Sequence, residues 1–540
     1  MKALFKIALV IYVGVLLASC SNYLDINTNP NQAISSTPRL LTSSSLAGTA
    51  NVLEAFNAYG METGGYGANA GGYGGFNELF TYQYTNNTFT GLWSGIYSNL
   101  ENYQQIINIA KKDPNSKYIN YEAIAMIMQA HDYQLLVDQY NDVPYKTALG
   151  GLANLTPAYD KGTDIYPLLA QKLDSAIAKI HQSKKLVPAP VLVSAEDVVF
   201  GGDTTMWKKL ANTLKLKLMI RGQGKVTFVN TSFDPAGFLT ADVLINPGFR
   251  NDNGRQNPKW ANWAWDYAGV AINKAWMPST YALSFYDGTK LLDTTRGRLT
   301  YYNYSLGTAK ISNQLGFEDV NVPSCPEGTF WYPGTNRTAT SAGSSTGALK
   351  GPDAGYPLFT AAESYFLQAE AQVRGISIPG ALTTGQIFDK GLVTAFAYSN
   401  SLPDLSQAKM HHYNSVTKKL YAWTPDSAVV YYKNANAASY LVNFSLAATL
   451  DQQIEAIITQ KYIALNFIHS HEGWNEYRRT GFPVSTGASA STSFASIKSQ
   501  ATRGNKLPTR LLYPVTEARY NPTNVPQGIS PLTSLIFWAQ

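Results

Sequence analysis

Charge is scarce in this chain: 14% of its 540 residues are Asp, Glu, Lys or Arg, where about 25% is usual for a soluble globular domain. The 42 basic and 36 acidic side chains leave a formal charge of +6 with no Lys/Arg block. So dilute a charge cannot build the phosphate-tracking surface that nucleic acids need, which excludes them as partners. Histidine is rare as well, with six copies, and none falls in a metal-binding spacing. His469-Ser470-His471-Glu472 lacks the second histidine of H-E-x-x-H, since position 475 is Asn475. Histidines at i and i+2 face different ways on a helix, so these two read as residues near a helix C-terminus. Neither a Walker A motif nor G-x-G-x-x-G occurs, and no cofactor or metal is expected. Gly343-Ser344-Ser345-Thr346-Gly347 matches a nucleophile elbow by letter. No apolar strand precedes it, so the strained strand-to-helix turn that exposes the serine cannot form, and no catalytic residue is assigned.

What the chain has instead is aromatic and apolar mass. Tyr, Phe and Trp number 35, 22 and 10, and 45% of residues are hydrophobic, ample for a large core and incompatible with bulk disorder. A weakly charged surface of this kind suits neutral polar ligands.

Lys2 and Lys6 precede the apolar stretch Ile7 to Ala18, too short to span a bilayer and of the length of a secretory signal core. It ends in Leu17-Ala18-Ser19-Cys20, which resembles a bacterial lipobox. The expectation is a leader over 1–19 and a lipid on Cys20. No later apolar run reaches the length of a membrane span, so lipid alone would hold the chain to the membrane. Cys325, the only other cysteine, then has no disulfide partner. With no base beside it in Pro323-Ser324-Cys325-Pro326, it reads as a buried spectator.

Helical periodicity appears at Leu100 to Ala110, Tyr118 to Tyr140, Ile165 to Ile180 and Trp207 to Arg221, each with an apolar face toward a core. It returns at Phe359 to Arg374, Thr384 to Tyr398 and Leu450 to Ile468. Between about 227 and 353 the chain turns to Gly, Asn, Pro, Ser and aromatics, with a Ser/Thr/Gly loop from Thr338 to Lys350. The expected architecture is mainly α: one domain over 20–540, a helical scaffold over about 33–226 and 354–480, and an irregular insertion over about 227–353. Loops carried on a rigid scaffold are where binding residues tend to sit.

Two aromatic clusters stand out as ligand-binding candidates. Trp260, Trp263, Trp265 and Tyr267 lie in one short stretch of the insertion, followed by Trp276. Flat indole and phenol faces stack on sugar rings or peptide side chains while Asn and Asp orient the ligand. Trp263 and Trp265 are the expected stacking pair, against the alternative of a hydrophobic plug. Tyr66, Tyr73 and Phe76 sit among glycines, with Trp93 downstream; glycine lets backbone approach a ligand or partner closely. The acidic pair Asp138 and Asp142 reads as a solvated helix end.

A set of blocks in order resembles the SusD/RagB family of nutrient-binding outer-membrane lipoproteins, in its SusD-like second subfamily. They begin with Tyr23-Leu24-Asp25-Ile26-Asn27-Thr28-Asn29-Pro30-Asn31 after the lipobox. Asp138-Gln139-Tyr140-Asn141-Asp142-Val143-Pro144-Tyr145 follows, then Pro157-Ala158-Tyr159-Asp160, Leu173-Asp174-Ser175-Ala176-Ile177, and Trp207-Lys208-Lys209-Leu210-Ala211-Asn212 through Arg221. Later come Glu363-Ser364-Tyr365-Phe366-Leu367-Gln368-Ala369-Glu370-Ala371, Glu472-Gly473-Trp474-Asn475-Glu476-Tyr477-Arg478-Arg479-Thr480-Gly481, and Leu507-Pro508-Thr509-Arg510 with Tyr513-Pro514. Asn141 stands where the family commonly has Gly, and Asn tolerates positive φ. Trp474, Tyr477 and Arg478 are spaced i, i+3 and i+4, which suits an aromatic pair packed under a guanidinium, so the blocks read as framework and not as ligand contacts. The resemblance implies tetratricopeptide-like helix pairs with an irregular ligand-binding part. It further implies a non-catalytic lid on a SusC-type TonB-dependent outer-membrane barrel, facing outward and delivering oligosaccharides or oligopeptides. A secreted hydrolase would instead need a carboxylate pair or triad in a cleft.

Overall fold

A computed structural model describes residues 37–302, 304, 312–318, 329–333, 346–408, 410–414, 419–487 and 489–540. The expectations placed on the 1–19 leader, Cys20, Cys325, most of the Thr338 to Lys350 loop and the serines of 343–347 lie outside these residues.

The chain is mainly helical, built of helix pairs packed one on the next. α1 (Pro38–Thr63), α2 (Thr90–Lys112), α3 (Ile119–Tyr140), α4 (Gly162–Ser183) and α5 (Thr204–Gly222) follow one another, and each packs on the next. α6 (Pro258–Trp263) is a short helix in the irregular middle, after which α7 (Ala361–Val373), α8 (Thr384–Asn400), α9 (Pro425–Ala435), α10 (Leu450–Leu465) and α11 (Ser470–Thr480) resume the scaffold. α7 lies against α5, α8 and α10, and α11 returns to pack on α1, which closes the arrangement. The α1 and α11 backbones approach so closely at Gly60 that a Cβ there would lie 1.9 Å from the His471 nitrogen.

Local chemistry sets the helix starts. Thr37 caps α1 and Pro38 fills its first turn, while the Asp203 carboxylate accepts from the Thr205 and Met206 amides at the head of α5. Thr383 with Gln386 and Thr449 with Gln452 form reciprocal capping boxes on α8 and α10. α3 differs from the one-faced helix that periodicity predicts, for it is buried all round. Enclosed by α2, α4 and α5, it carries polar side chains that must find partners inside the protein. Asn141 ends it at φ 65°, with the Asp142 amide donating to the Tyr140 carbonyl at 3.0 Å, so Asn does take the positive φ that the turn requires.

Candidate ligand-binding surface

The tryptophan stretch is built onto the scaffold through one carboxylate. Asn257 caps α6, and the helix lays Lys259, Trp260 and Trp263 against α1. Glu54 on α1 accepts from Trp263 Nε1 at 2.5 Å, Asn262 Nδ2 at 3.0 Å, Tyr356 Oη at 3.0 Å and Lys259 Nζ at 3.2 Å. Trp263 packs edge-on to Phe467 and Trp331, with centroids 5.2 and 6.1 Å away, and Trp260 lies 5.5 Å from Trp265. Trp260 and Trp263 are each 1% exposed and Trp265 is buried too. In this arrangement the three indoles form the hydrophobic plug, and they turn no open face toward a ligand. Tyr267 is different. It projects from the hairpin closed by the Trp265 to Ala271 bridge and is 49% exposed.

The glycine-rich loop and Trp276, distant in sequence, come together. β1 (Gly67–Asn69) pairs antiparallel with β2 (Trp276–Pro278). Tyr66 and Phe76 are buried. Tyr66 stacks on Tyr462 at 4.1 Å and donates to its carbonyl, whereas Phe76 stacks on Phe80 and meets half-buried Trp276 edge-on at 5.2 Å. Trp276 and Met277 face opposite sides of the strand pair. Half-buried Tyr73 packs with Met277, Ala70 and Phe330. Gly72 and Gly75 have φ 80° and 90°, and a Cβ at Gly72, Gly74 or Gly75 would meet nothing within 4 Å. Trp93 belongs elsewhere: it packs among Tyr97, Tyr140, Tyr159 and Tyr513 inside the scaffold.

Asn69 is the cross-strand partner of Trp276 and therefore shares its face. Its amide donates to the Phe317 carbonyl at 2.6 Å and its Oδ1 accepts from the Gly316 amide at 2.9 Å. Residue 315 in turn holds the 497 segment, with the Ile497 amide donating to the Leu315 carbonyl at 3.0 Å. Phe317 and Ile497 are 41% and 52% exposed, and Lys498 pairs with Glu318 while lying 5.3 Å over Phe80. Hydrogen bonds thus join four separate segments, which carry half-buried Trp276 and exposed Phe317 and Ile497 beside an open glycine loop. Neither Phe317 nor Ile497 carries a local sequence signal, because the strand pairing and the Asn69 amide are what bring them to Trp276.

The closely spaced carboxylates have another fate. Arg221 on α5 donates to Asp138 on α3, Glu472 on α11 and, at 3.2 Å, Glu476. Lys217 lies 2.8 Å from Glu363 and 2.9 Å from Glu472, and Lys461 lies 3.0 Å from Glu476. Arg479 bridges Glu476 and Glu370. All of these side chains are buried. Burial would raise Glu363, yet Lys217, His469 and Lys461 pull it down to about 2. Asp138 is therefore not on a solvated helix end, and neither is Asp142, whose Oδ1 accepts from the Gly162 amide at 3.0 Å. The histidine reading also changes: Phe467, at φ 64°, separates α10 from α11, so His469 and His471 stand at a helix N-terminus. Burial holds His471 well below the usual histidine range, and His469 Nε2 lies 2.9 Å from the Pro357 carbonyl. Among the described residues no His, Cys, Asp and Glu group is placed to hold a metal ion. The Trp474 to Arg478 expectation holds, with Trp474 and Tyr477 stacked and Arg478 lying 5.1 Å over Trp474; Trp538 covers its other side at 5.0 Å.

Comparison with known proteins places the chain among relatives. Residues 30–231 match the SusD-like family described as starch-binding, associating with outer membrane, and residues 334–534 match the SusD and RagB outer membrane lipoprotein family. No curated protein is similar in sequence. Among solved structures, a SusD homolog from Bacteroides fragilis is 19% identical, covering 94% of this chain and 100% of its own, with a TM-score of 0.63. A SusD/RagB family protein from Bacteroides thetaiotaomicron is 18% identical over 93% of this chain and 99% of its own, with a TM-score of 0.64. A chitin-binding SusD homolog from Flavobacterium johnsoniae is 18% identical over 92% of this chain and 98% of its own, with a TM-score of 0.60. Among the described residues no helix is long and apolar enough to cross a membrane.

Proposed function

The chain belongs to the SusD/RagB family of outer-membrane lipoproteins, and from that premise we propose a non-catalytic, cell-surface binder that captures neutral oligosaccharides and passes them to a SusC-type TonB-dependent barrel. Cys20 would carry the lipid anchor and the ligand would be met on the extracellular side. The observation that carries the reading is half-buried Trp276 on a strand pair tied through Asn69 to the segment of exposed Phe317, which in turn holds exposed Ile497, with Tyr73 and Tyr267 as further accessible rings. Aromatic faces with few charges favour the C–H faces of sugar rings. The chitin-binding relative with the same fold supports a glycan in preference to other neutral ligands. The buried carboxylates are spent on ion pairs within the scaffold, which favours binding over hydrolysis.

Calorimetric titration of the protein with chitin, starch and other neutral oligosaccharides, beside a matched oligopeptide panel, tests this. Saturable binding of a glycan without its turnover is the expected result. Binding confined to peptides would replace the ligand class, and release of shorter products would overturn the binder reading. Co-purification with an outer-membrane barrel from the native membrane tests the delivery step.

A further inference from the structure

The first four helices alternate in direction. Tyr59 on α1 lies 4.9 Å from Phe89 at the head of α2, and Thr49 lies 2.7 Å from Tyr103 further along it. On α3 and α4, Asp138 accepts from Tyr166 while Glu122 pairs with Lys179 at 2.9 Å. The start of α1, the end of α2, the start of α3 and the end of α4 therefore share one end of the scaffold. The segment 184–196 is tied to the same end. The Pro190 carbonyl accepts from Asn120 Nδ2 at 3.1 Å, and the Val193 amide donates to Tyr121 Oη at 3.1 Å. Tyr121 Oη donates to Glu196 at 2.5 Å, and Glu196 lies 4.0 Å from Arg39 on α1.

Folding gathers at this end what the sequence keeps apart. Arg39, Lys111, Lys112, Lys117, Lys184 and Lys185 are exposed, and among the described residues only Arg39 of these six has an ion pair. The carboxylates nearby have other uses: Glu122 faces Lys179, half-buried Asp113 accepts from the Lys117 amide at 2.6 Å, and Asp203 caps α5. Leu40, Val187 and Val191 are 67%, 97% and 69% exposed. Basic side chains suit phosphate headgroups and exposed apolar ones suit the acyl boundary beneath them; the apolar ones would have no use on a nucleic-acid backbone. The chain also enters here: 17 residue steps lead from Thr37 back to Cys20, a reach of at most about 60 Å. So short a tether keeps this end at high effective concentration near the bilayer, where a modest affinity suffices. We propose that this end of the scaffold docks on the phosphate headgroups of the membrane that holds the lipid, apart from the Trp276 surface. The proposal rests on the lipid-anchored reading of Cys20 given above.

Two measurements test it. The mature chain without lipid, carrying Cys20→Ser, is sedimented with vesicles of phosphatidylcholine alone or of phosphatidylcholine with phosphatidylglycerol. Phosphatidylglycerol should strengthen binding about tenfold or more, and high salt should abolish the gain. Lys184→Gln with Lys185→Gln should remove about tenfold or more of it, whereas exposed Lys225→Gln with Lys390→Gln, elsewhere on the protein, should remove none. In the lipidated protein reconstituted in the same mixed vesicles, amine acetylation read by mass spectrometry should slow at Lys111, Lys112, Lys117, Lys184 and Lys185, and not at Lys225 or Lys390. The mass of the native N-terminal peptide reports acylation of Cys20 by itself, so a missing lipid would sink the anchor and leave the vesicle result to stand or fall alone. Equal binding to both vesicle types, equal loss in the control variant, or no vesicle binding together with unchanged acetylation would overturn the proposal. A Lys184, Lys185 variant that keeps vesicle binding but loses co-purification with the barrel would also overturn it, giving this end to the barrel.

Discussion

Trp263 Nε1 donates to Glu54 Oε1 at 2.5 Å, joining the irregular middle of the chain to the first helix of the scaffold. This bond decides how the tryptophan stretch is used, because an indole whose face is packed and whose N–H is spoken for contributes stability. Trp263→Ala should cost about 3–5 kcal/mol from the cavity it leaves. Glu54→Gln, which disturbs five donors at once, should cost about 1–3 kcal/mol. Denaturant unfolding checks both, and the glycan affinity of a folded Trp263→Phe variant should match that of the parent protein. A loss of affinity with unchanged stability would return Trp263 to the ligand.

Arg221 is the node on which three family blocks meet, at Asp138, Glu472 and its own position. Removing one partner of a buried pair leaves the other charges uncompensated, so Arg221→Met should destabilise by about 3–5 kcal/mol. Asp138→Asn should do less, because Tyr166 and Trp538 also donate to that carboxylate. Urea titration of the two single variants and the double variant gives the coupling between them. A loss below about 1 kcal/mol for Arg221→Met would mean that the network is incidental to folding.

These two residues also mark what sequence could and could not reveal. Helices such as 204–222 were legible because Leu210, Leu214 and Leu218 recur at helical spacing on a buried face. α1 carries no such signal: Ser45, Thr49 and Asn57 are buried beside Leu46 and Phe56, so its small and polar residues blur the period. The framework character of Trp474 and Arg478 followed from local spacing. The fate of Trp263 did not, since it depends on Glu54, which lies over 200 positions away. Likewise Trp276 was visible as an aromatic in an irregular stretch, but Phe317 and Ile497 join it only through tertiary hydrogen bonds.

Acid and base should act on different carboxylates. Glu363, Glu370, Glu472 and Glu476 are held below the ordinary 4.5 against the opposing effect of burial, by Lys217, Arg479, Arg221 and Lys461 among others. A depressed folded pKa gives stability that is full above the unfolded value and is lost as pH falls through it toward about 2 for Glu363. Glu62 has the opposite sign: burial raises it to about 8, so it stays protonated when folded and weakens the fold as pH rises from 4.5 toward 8. Glu62→Gln should be close to neutral at pH 5 and stabilising by a few kcal/mol at pH 8, with Tyr84 Oη still donating to the side-chain oxygen. Thermal melts of both proteins across this range check it, and parallel curves would refute the Glu62 assignment.

Trp276 is the residue on which a binding phenotype should separate from a folding one. It is half-buried and its packing partner Phe76 keeps Phe80 as a second neighbour, so Trp276→Ala leaves most of the local cluster in place. The strand pairing around it runs through main chain, including the Ala70 amide donating to the Ala275 carbonyl at 2.8 Å. A stability loss of about 1–2 kcal/mol is therefore expected, below the cost of a fully buried tryptophan. Stacking on a sugar ring is lost entirely, and glycan affinity should fall about tenfold or more. Trp276→Phe should recover part of it, because a smaller aromatic face remains, whereas Trp276→Leu should not. Tyr267→Ala provides the contrast: being half-exposed on a hairpin, it should leave stability unchanged, and its effect on affinity tells whether the hairpin reaches the same ligand. Unaltered glycan affinity in folded Trp276→Ala and in folded Phe317→Ala would remove this surface as the site.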